Sequence, residues 1–185
     1  MTDASFHPPE TRDRLDMITL LSSSAFAGGN LFIGLSMGAY WLSLEASVFM
    51  ETFFGQWLRF LFTIMPLLLL TLYGLVRSAR LDAGDPALRR LWRRAILCWV
   101  ATCLITLVLH MPLNLRLGAA TFSPEEAAAS NLYGLLSLFG SVTPETAGFT
   151  RAIWLLGHVP RIALAVALSV FAMQAVFHRR TKIAR

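Results

Sequence analysis

Apolar residues dominate four stretches of the chain, and each stretch is long enough to cross a lipid bilayer as a helix. The four stretches cover residues 17–43, 58–76, 95–111 and 149–177. A backbone inside hydrocarbon must satisfy its hydrogen bonds internally, so long apolar stretches of this kind favour helices. The sequence therefore predicts an all-α, polytopic membrane protein whose core is a bundle of four transmembrane helices.

Polar sequence flanks and connects these spans. Residues 1–14 are predicted to form a tail that is disordered or lies on the surface, residues 15–178 the four-helix transmembrane domain, and residues 179–185 a basic tail. The longest connection, between the third and fourth spans, contains Ser123-Pro124-Glu125-Glu126, which matches the capping box that opens a helix. We therefore expect a short extracytoplasmic helix in this connection.

Charge is distributed unevenly over the connections. Residues 77–94 and the C-terminal tail are basic, whereas residues 44–57 and 112–148 are acidic or poor in lysine and arginine. Basic connections remain on the cytoplasmic side of a membrane. With four spans, this bias predicts that both termini are cytoplasmic, in what we expect to be a bacterial inner (plasma) membrane.

The composition agrees with a membrane protein. Charged residues make up 15% of the chain and hydrophobic residues 56%, whereas soluble domains carry about 25% charged residues. The net charge of +5 could suggest nucleic acid, but the basic residues flank apolar spans. That placement indicates topology signals and contacts with anionic membrane lipids, so we expect no nucleic-acid partner.

Small residues cluster in the first span. Gly34 and Gly38 form a GxxxG pattern, and Asn30 continues the same ridge four residues earlier. Small residues at this spacing let helices approach closely in lipid. We expect this ridge to pack against other spans of the same chain, and a homodimer seam is the alternative.

The most informative polar groups lie at the end of the third span and early in the fourth. His110 and Asn114 are four residues apart, and Trp154, His158 and Arg161 follow at i, i+4 and i+7, so each set shares a helix face. At the helical rise, His110 lies roughly 24 Å and His158 roughly 30 Å from the nearest basic cluster, which places both near the outer boundary. Polar groups at such depth are costly and suggest a functional pocket. The alternative is separate anchoring at the interface, with an arginine reaching the head groups.

A metal site is an open alternative at this level. His110 and His158 come from different spans and could both bind a transition metal, which usually takes three or four ligands. Glu45 or Glu51 could complete the set, although nothing in their spacing requires it. The sequence leaves the cofactor open between none and a transition metal.

The same residues resemble a known family. A glycine-rich first span, Pro112 and Asn114 as Pro-x-Asn closing the third, and Trp154, His158 and Arg161 as W-x-x-x-H-x-x-R in the fourth are similar to the anthrone oxygenases. That family is also known as the DUF1772 integral membrane proteins, and the resemblance covers residues 17–177. It implies a four-helix membrane protein. Some fungal members oxidise anthrones to anthraquinones, whereas most bacterial members have no assigned activity.

The resemblance implies oxidation of a lipophilic phenolic or anthrone-like substrate by dioxygen. In such a reaction His110 or His158 would remove a proton, since imidazole titrates near neutral pH. Arg161 and Asn114 would stabilise the resulting oxygen anion. Trp154 would stack on the planar ring, and the substrate would enter between the third and fourth spans.

Two other classes of function stay open from the sequence. The chain could be an accessory or scaffold subunit of a larger membrane complex, or a transporter of a small lipophile. The expected partners are membrane lipids, a lipophilic small molecule, and either other membrane subunits or further copies of the chain. An enclosed pocket lined by the polar groups would favour a ligand site, and side chains directed separately toward the head groups would favour a scaffold.

Overall fold

Helices form every regular element in the described part of the chain. The computed structural model describes the backbone of residues 9–183 and the side chains of residues 11–182. The α-helices are α1 Pro9–Leu31, α2 Gly38–Ser43, α3 Ala46–Leu81, α4 Pro86–Ile105, α5 Met111–Ala119, α6 Pro124–Ala129, α7 Asn131–Leu136 and α8 Pro144–Ile183. Two π-helical turns, Phe32–Met37 and Thr106–His110, join α1 to α2 and α4 to α5. The all-α prediction is confirmed.

Four helical stretches are long and apolar enough to cross a membrane, as the sequence predicts for an integral membrane protein. These four spans are Thr11–Ser43, Ala46–Leu81, Pro86–Ala119 and Pro144–Lys182. They are longer than the apolar stretches because polar flanking residues continue each helix. The structure therefore departs from the predicted connections 44–57 and 77–94, which are helical except at residues 44–45 and 82–85.

The predicted tails lie partly within helices. Residues 9–14 form the first turns of α1, and residues 1–8 of the predicted N-terminal tail lie outside the described residues. At the other end, α8 continues to Ile183, and residues 184–185 of the predicted basic tail are likewise outside the description. The helix ends thus extend beyond the apolar stretches, where charged side chains can meet.

The short helix predicted between the third and fourth spans is present as α6. The Ser123 hydroxyl accepts a hydrogen bond from the Glu126 N–H, and the Glu126 carboxylate accepts one from the Ser123 N–H. The same backbone hydrogen bond lowers the pKa of Glu126. Leu136 of α7 is buried and lies against the Gly118 side of α5. The capping box is confirmed, and this connection folds back on the bundle.

A buried cluster of charges joins the four spans at the end of the bundle that contains both described chain termini, which we call the arginine end. Asp82, just after α3, accepts hydrogen bonds from Arg12 of α1 at 2.7 Å, from the Trp92 indole of α4 at 2.8 Å and from Arg179 of α8 at 3.2 Å. Arg179 also pairs with Asp16 of α1. One carboxylate therefore connects all four spans.

A second carboxylate in the same turn is more accessible. The Lys182 ammonium donates a hydrogen bond of 2.8 Å to Asp85, which also caps α4 by accepting from the backbone N–H groups of Ala87 and Leu88. The hydrogen bond from Lys182, followed by that from the Leu88 N–H, lowers the pKa of Asp85 to about 2. Asp85 is therefore a partly exposed helix cap that lies outside the buried cluster.

The GxxxG ridge of the first span packs against α8. A Cβ atom added to Gly34 would stand 2.5 Å from Cδ1 of Ile162 and 2.8 Å from Cδ2 of His158. One added to Gly38 would stand 2.7 Å from Cδ2 of Leu155. The expected packing within one chain is confirmed, and it brings the first span against the face of α8 that carries His158.

Gly157 allows a close approach between the third and fourth spans, as Gly34 and Gly38 do between the first and fourth. A Cβ atom here would collide with Leu109 and stand 3.1 Å from Cε1 of His110. We expect Gly157→Ala to lower the free energy of unfolding by about 1–3 kcal/mol, the usual cost of overpacking. The measurement is the Tm of the purified protein in detergent. Gly148→Ala in the same helix is the control, because nothing lies within 4 Å of its Cβ position, and an equal drop in Tm for both variants would contradict close packing at Gly157.

Candidate functional site

Two histidines and a tryptophan meet in the interior, where the third span passes the fourth. The Trp154 and His158 rings stack with centroids 4.7 Å apart and an angle of 21° between planes. The His110 ring stands edge-on to both, with each centroid separation 5.2 Å. All three side chains are buried. The two helix faces that the sequence singles out therefore lie together.

Hydrogen bonds fix the orientation of this group. The Trp154 indole N–H donates to Oδ1 of Asn114 over 2.7 Å, which leaves the Asn114 NH₂ group free to donate elsewhere. Nε2 of His110 lies 3.1 Å from the Trp154 carbonyl oxygen. A carbonyl oxygen can only accept, so Nε2 of His110 carries the proton. His110 and Asn114 thus hold both the backbone and the ring of Trp154.

A π-helical turn positions His110. This turn, Thr106–His110, directly precedes α5, whose second residue is Pro112. Proline lacks an N–H and its ring clashes with the carbonyl four residues earlier, so an α-helix cannot continue regularly through it. The wider turn accommodates Pro112, and such turns are frequent at functional sites.

A cavity of about 440 Å³ lies beside these residues, and all four spans contribute to its wall. Its volume falls within the range of about 300–1,000 Å³ that is usual for small-molecule sites. Most of the wall is apolar, and it is rich in aromatic rings, namely Phe26, Trp41, Trp57, Phe60, Trp99 and Trp154. The polar lining residues are few, namely Thr102, Cys103, Thr106, Asn114, His158 and Arg161. This composition suits a lipophilic ligand with a few polar atoms.

Two of the lining residues carry polar atoms without partners. Within residues 11–182, neither ring nitrogen of His158 has a hydrogen-bond partner, and Nε of Arg161 has none either. No carboxylate in that part of the chain forms an ion pair with Arg161. Buried polar groups are normally satisfied, and an unpaired buried charge is costly. Both residues border the cavity, and their buried nitrogen atoms have no partner within the described protein.

The predicted site residues fall into two positions. Asn114, Trp154, His158 and Arg161 line the cavity, whereas His110 is fully buried and does not line it. His110 contacts the back of Trp154 and His158 and touches no open space. It is thus placed to position the other two rings, and His158 is the histidine that a ligand would meet.

An aromatic cluster around Trp41 closes the end of the cavity that lies opposite the arginine end. Trp41 packs edge-on against Trp154 with ring centroids 5.2 Å apart. The Arg151 guanidinium donates to the carbonyl oxygens of Trp41 and Leu44 at 2.7 and 2.8 Å, and lies 5.3 Å from the centroid of the Phe49 ring. Arg151 therefore fixes the first span where it meets α8.

The predicted set of metal ligands is not assembled. Glu45 precedes α3 and Glu51 lies in it, and both side chains are exposed. No group of three or more His, Cys, Asp or Glu side chains in the searched, described residues is arranged to hold a metal ion. The structure therefore does not bring Glu45 or Glu51 to the cavity beside His158, and a metal held by these four candidates stays an open alternative.

Several site residues went unrecognised in the sequence. Thr102 and Thr106 precede His110 at four-residue steps and line the cavity beside Cys103. This i, i+4, i+8 series of polar residues in an apolar span is a periodic signal that could have revealed them. Cys103 and Cys98 are both free thiols. Only Cys103 of the two lines the cavity.

The fold and site define a class of protein: four helices able to cross a membrane, built around an internal, largely apolar cavity with a cationic polar face. The chain matches no family model, no curated protein and no solved structure. The resemblance to anthrone oxygenases therefore rests on the sequence motifs, and the geometry of the cavity is the basis for the functional argument.

Proposed function

We propose that this chain is a membrane-embedded oxygenase that binds a lipophilic phenolic or anthrone-like substrate in the cavity and oxidises it with dioxygen. The observation that carries the proposal is the unpaired Arg161 beside the unpartnered ring of His158. A cation in an apolar cavity is stabilised by an anion, and an ionised phenol or enol supplies an oxygen anion on a flat apolar body.

Each lining residue has a role in the proposed reaction. His158 accepts a proton from a ring methylene group that is activated by a neighbouring carbonyl, which produces an enolate. Arg161 and the free NH₂ group of Asn114 donate hydrogen bonds to the enolate oxygen. Trp154 stacks on the substrate ring. His110 is a positioning residue that acts through its hydrogen bond to Trp154.

The oxidation balances with dioxygen as the only oxidant. The enolate gives one electron to dioxygen, and the two radicals combine to form a carbon–oxygen bond. Protonation yields a hydroperoxide, which loses water and leaves a carbonyl group. In total, CH₂ and O₂ become C=O and H₂O, and the proton taken by His158 is returned to the departing oxygen.

The placement in the membrane follows from charge. We infer that the arginine end faces the cytoplasm of a bacterial cell, because the basic residues of the 77–94 region and of the end of α8 gather there. The cavity then lies toward the outer leaflet, and membrane lipids surround the bundle. A purely scaffolding subunit would leave the unpaired Arg161 inside the cavity without a reason.

The test uses anthrone with the purified protein in detergent. Wild-type protein is expected to consume dioxygen and form anthraquinone in equal amounts, above the rate of a protein-free sample. Arg161→Gln is expected to weaken binding by about 10- to 150-fold, because hydrogen bonds to charged groups contribute about 1.5–3 kcal/mol. Arg59→Gln is the control, since Arg59 is exposed and outside the cavity. Equal oxygen uptake with and without protein, together with unchanged binding by Arg161→Gln, would overturn the proposal.

A further inference from the structure

The cavity has an opening in its side. Met65 of α3 and Leu107 of the π-helical turn both line the cavity, yet they are 41% and 61% exposed. Lining residues with this much exposed surface mark the part of the wall that faces outward, and we infer that the cavity opens there. Both residues lie inside apolar spans, so the opening faces the hydrocarbon of a membrane between the second and third spans.

The opening is not where the sequence suggested. Entry was expected between the third and fourth spans, but these spans make the most extensive helix contact in the bundle. The tight approach at Gly157 seals them beside His110. The second and third spans pack less extensively, and the gap between them is the place where the wall is incomplete.

The cavity is also longer than a compact ring system requires. Its lining on the third span runs from Trp99 to Asn114, which corresponds to about 22 Å at the helical rise. Asn114, His158 and Arg161 supply polar groups toward one end. Phe26, Leu68 and Trp99 form an apolar wall toward the arginine end, and the Trp99 indole is already bonded to the Leu68 carbonyl oxygen.

We propose that the ligand is an amphiphile drawn sideways from the bilayer, with an acidic hydroxyl group on a ring bound at Arg161 and His158 and a hydrocarbon chain that leaves through the gap beside Leu107. This inference rests on the proposed function, because it keeps the same polar site for the ring. It adds that the substrate carries a hydrocarbon chain, and that this hydrocarbon chain occupies the gap between the second and third spans.

Cys103 provides a direct measure of cavity occupancy. It lines the cavity, so a bound ligand should slow its modification by N-ethylmaleimide. In a Cys98→Ser background in lipid nanodiscs, modification is followed by mass spectrometry of the intact protein. The probes are 4-ethylphenol, 4-octylphenol and octylbenzene, compared at equal mole fraction in the lipid.

Substitution at the gap tests the position of the chain. Leu107→Trp is expected to raise the half-protecting mole fraction of 4-octylphenol at least about tenfold, because an indole in the gap displaces the chain. The half-protecting mole fraction of 4-ethylphenol should change less than about twofold, since its short chain stays inside the cavity. Leu104→Trp is the matched control, because Leu104 is 55% exposed on the same span and does not line the cavity.

The possible results separate the two proposals. Equal effects of Leu107→Trp on both phenols, or equal effects of Leu107→Trp and Leu104→Trp, would overturn the position of the chain while leaving the polar site in place. A rate of Cys103 modification that is the same with and without saturating 4-octylphenol would overturn occupation of the cavity by the probe. Protection by octylbenzene equal to that by 4-octylphenol would overturn recognition of the hydroxyl group, and with it the proposed function.

Discussion

Replacement of His158 by alanine is expected to lower the rate of oxygen-dependent turnover of anthrone by about 10²–10⁴-fold, the usual contribution of a general base. His158 is the one histidine of the described residues that lines the cavity, and both of its ring nitrogens are unpartnered. Removing the ring breaks no hydrogen bond but loses its packing against Trp154 and His110, so we expect a protein that still folds, with a lower Tm. The measurement is the initial rate of dioxygen consumption, with Tm recorded on the same sample.

The control for this substitution is His178→Ala in the same helix. His178 is exposed near the end of α8 and far from the cavity, so its loss should change neither the rate nor Tm. A His158→Ala protein that loses fold and activity together would indicate a structural histidine. A protein that keeps its full rate would remove His158 from the mechanism.

The local part of the candidate site could be predicted from sequence because it depends on helical periodicity. Trp154, His158 and Arg161 share a face by their spacing alone. The membrane depth that these residues share with Asn114 follows from counting residues from the basic clusters. These predictions need only a regular helix with a fixed rise per residue, and α8 is one continuous helix through Trp154, His158 and Arg161.

The rest of the candidate site depends on how the helices are rotated and how closely they approach each other. Residue spacing along the sequence predicts neither. His110 shares a face with Asn114, yet the π-helical turn before Pro112 places it behind Trp154 and outside the cavity wall. Gly157 is one of twelve glycines in the chain, and only the approach of Leu109 distinguishes it. Glu45 and Glu51 are candidates without any support from their spacing, and the structure leaves both side chains exposed and outside the cavity lining.

The charged cluster at the arginine end was missed for a different reason. The sequence shows a basic region, and the bias toward lysine and arginine predicts topology without assigning partners. Arg12 and Asp16 form an i, i+4 pair that periodicity could have revealed. The contact of Asp82 with Arg179 joins residues 97 positions apart, and only the closed bundle brings them together.

Asp82→Asn is expected to lower the free energy of unfolding by about 3 kcal/mol, within the range for breaking a buried ion pair. The substitution keeps the shape of the side chain but removes the charge that faces Arg12 and Arg179. Both guanidinium groups are largely buried, with 17% and 11% of their side-chain surface exposed. For a chain of this size the change corresponds to a Tm about 6–12 °C lower, measured by thermal unfolding in detergent.

Asp85→Asn provides the matched control, because it makes the same chemical change three residues away. Asp85 pairs with an exposed lysine, and exposed ion pairs contribute little to stability. Asparagine also caps a helix as well as aspartate does, so α4 keeps its N-terminus and Tm should fall much less than for Asp82→Asn. An equal, small effect of both substitutions would show that the Asp82 charge does not hold the four helix ends together. A large effect confined to Asp82 would assign that function to the one carboxylate that contacts donors from three other spans.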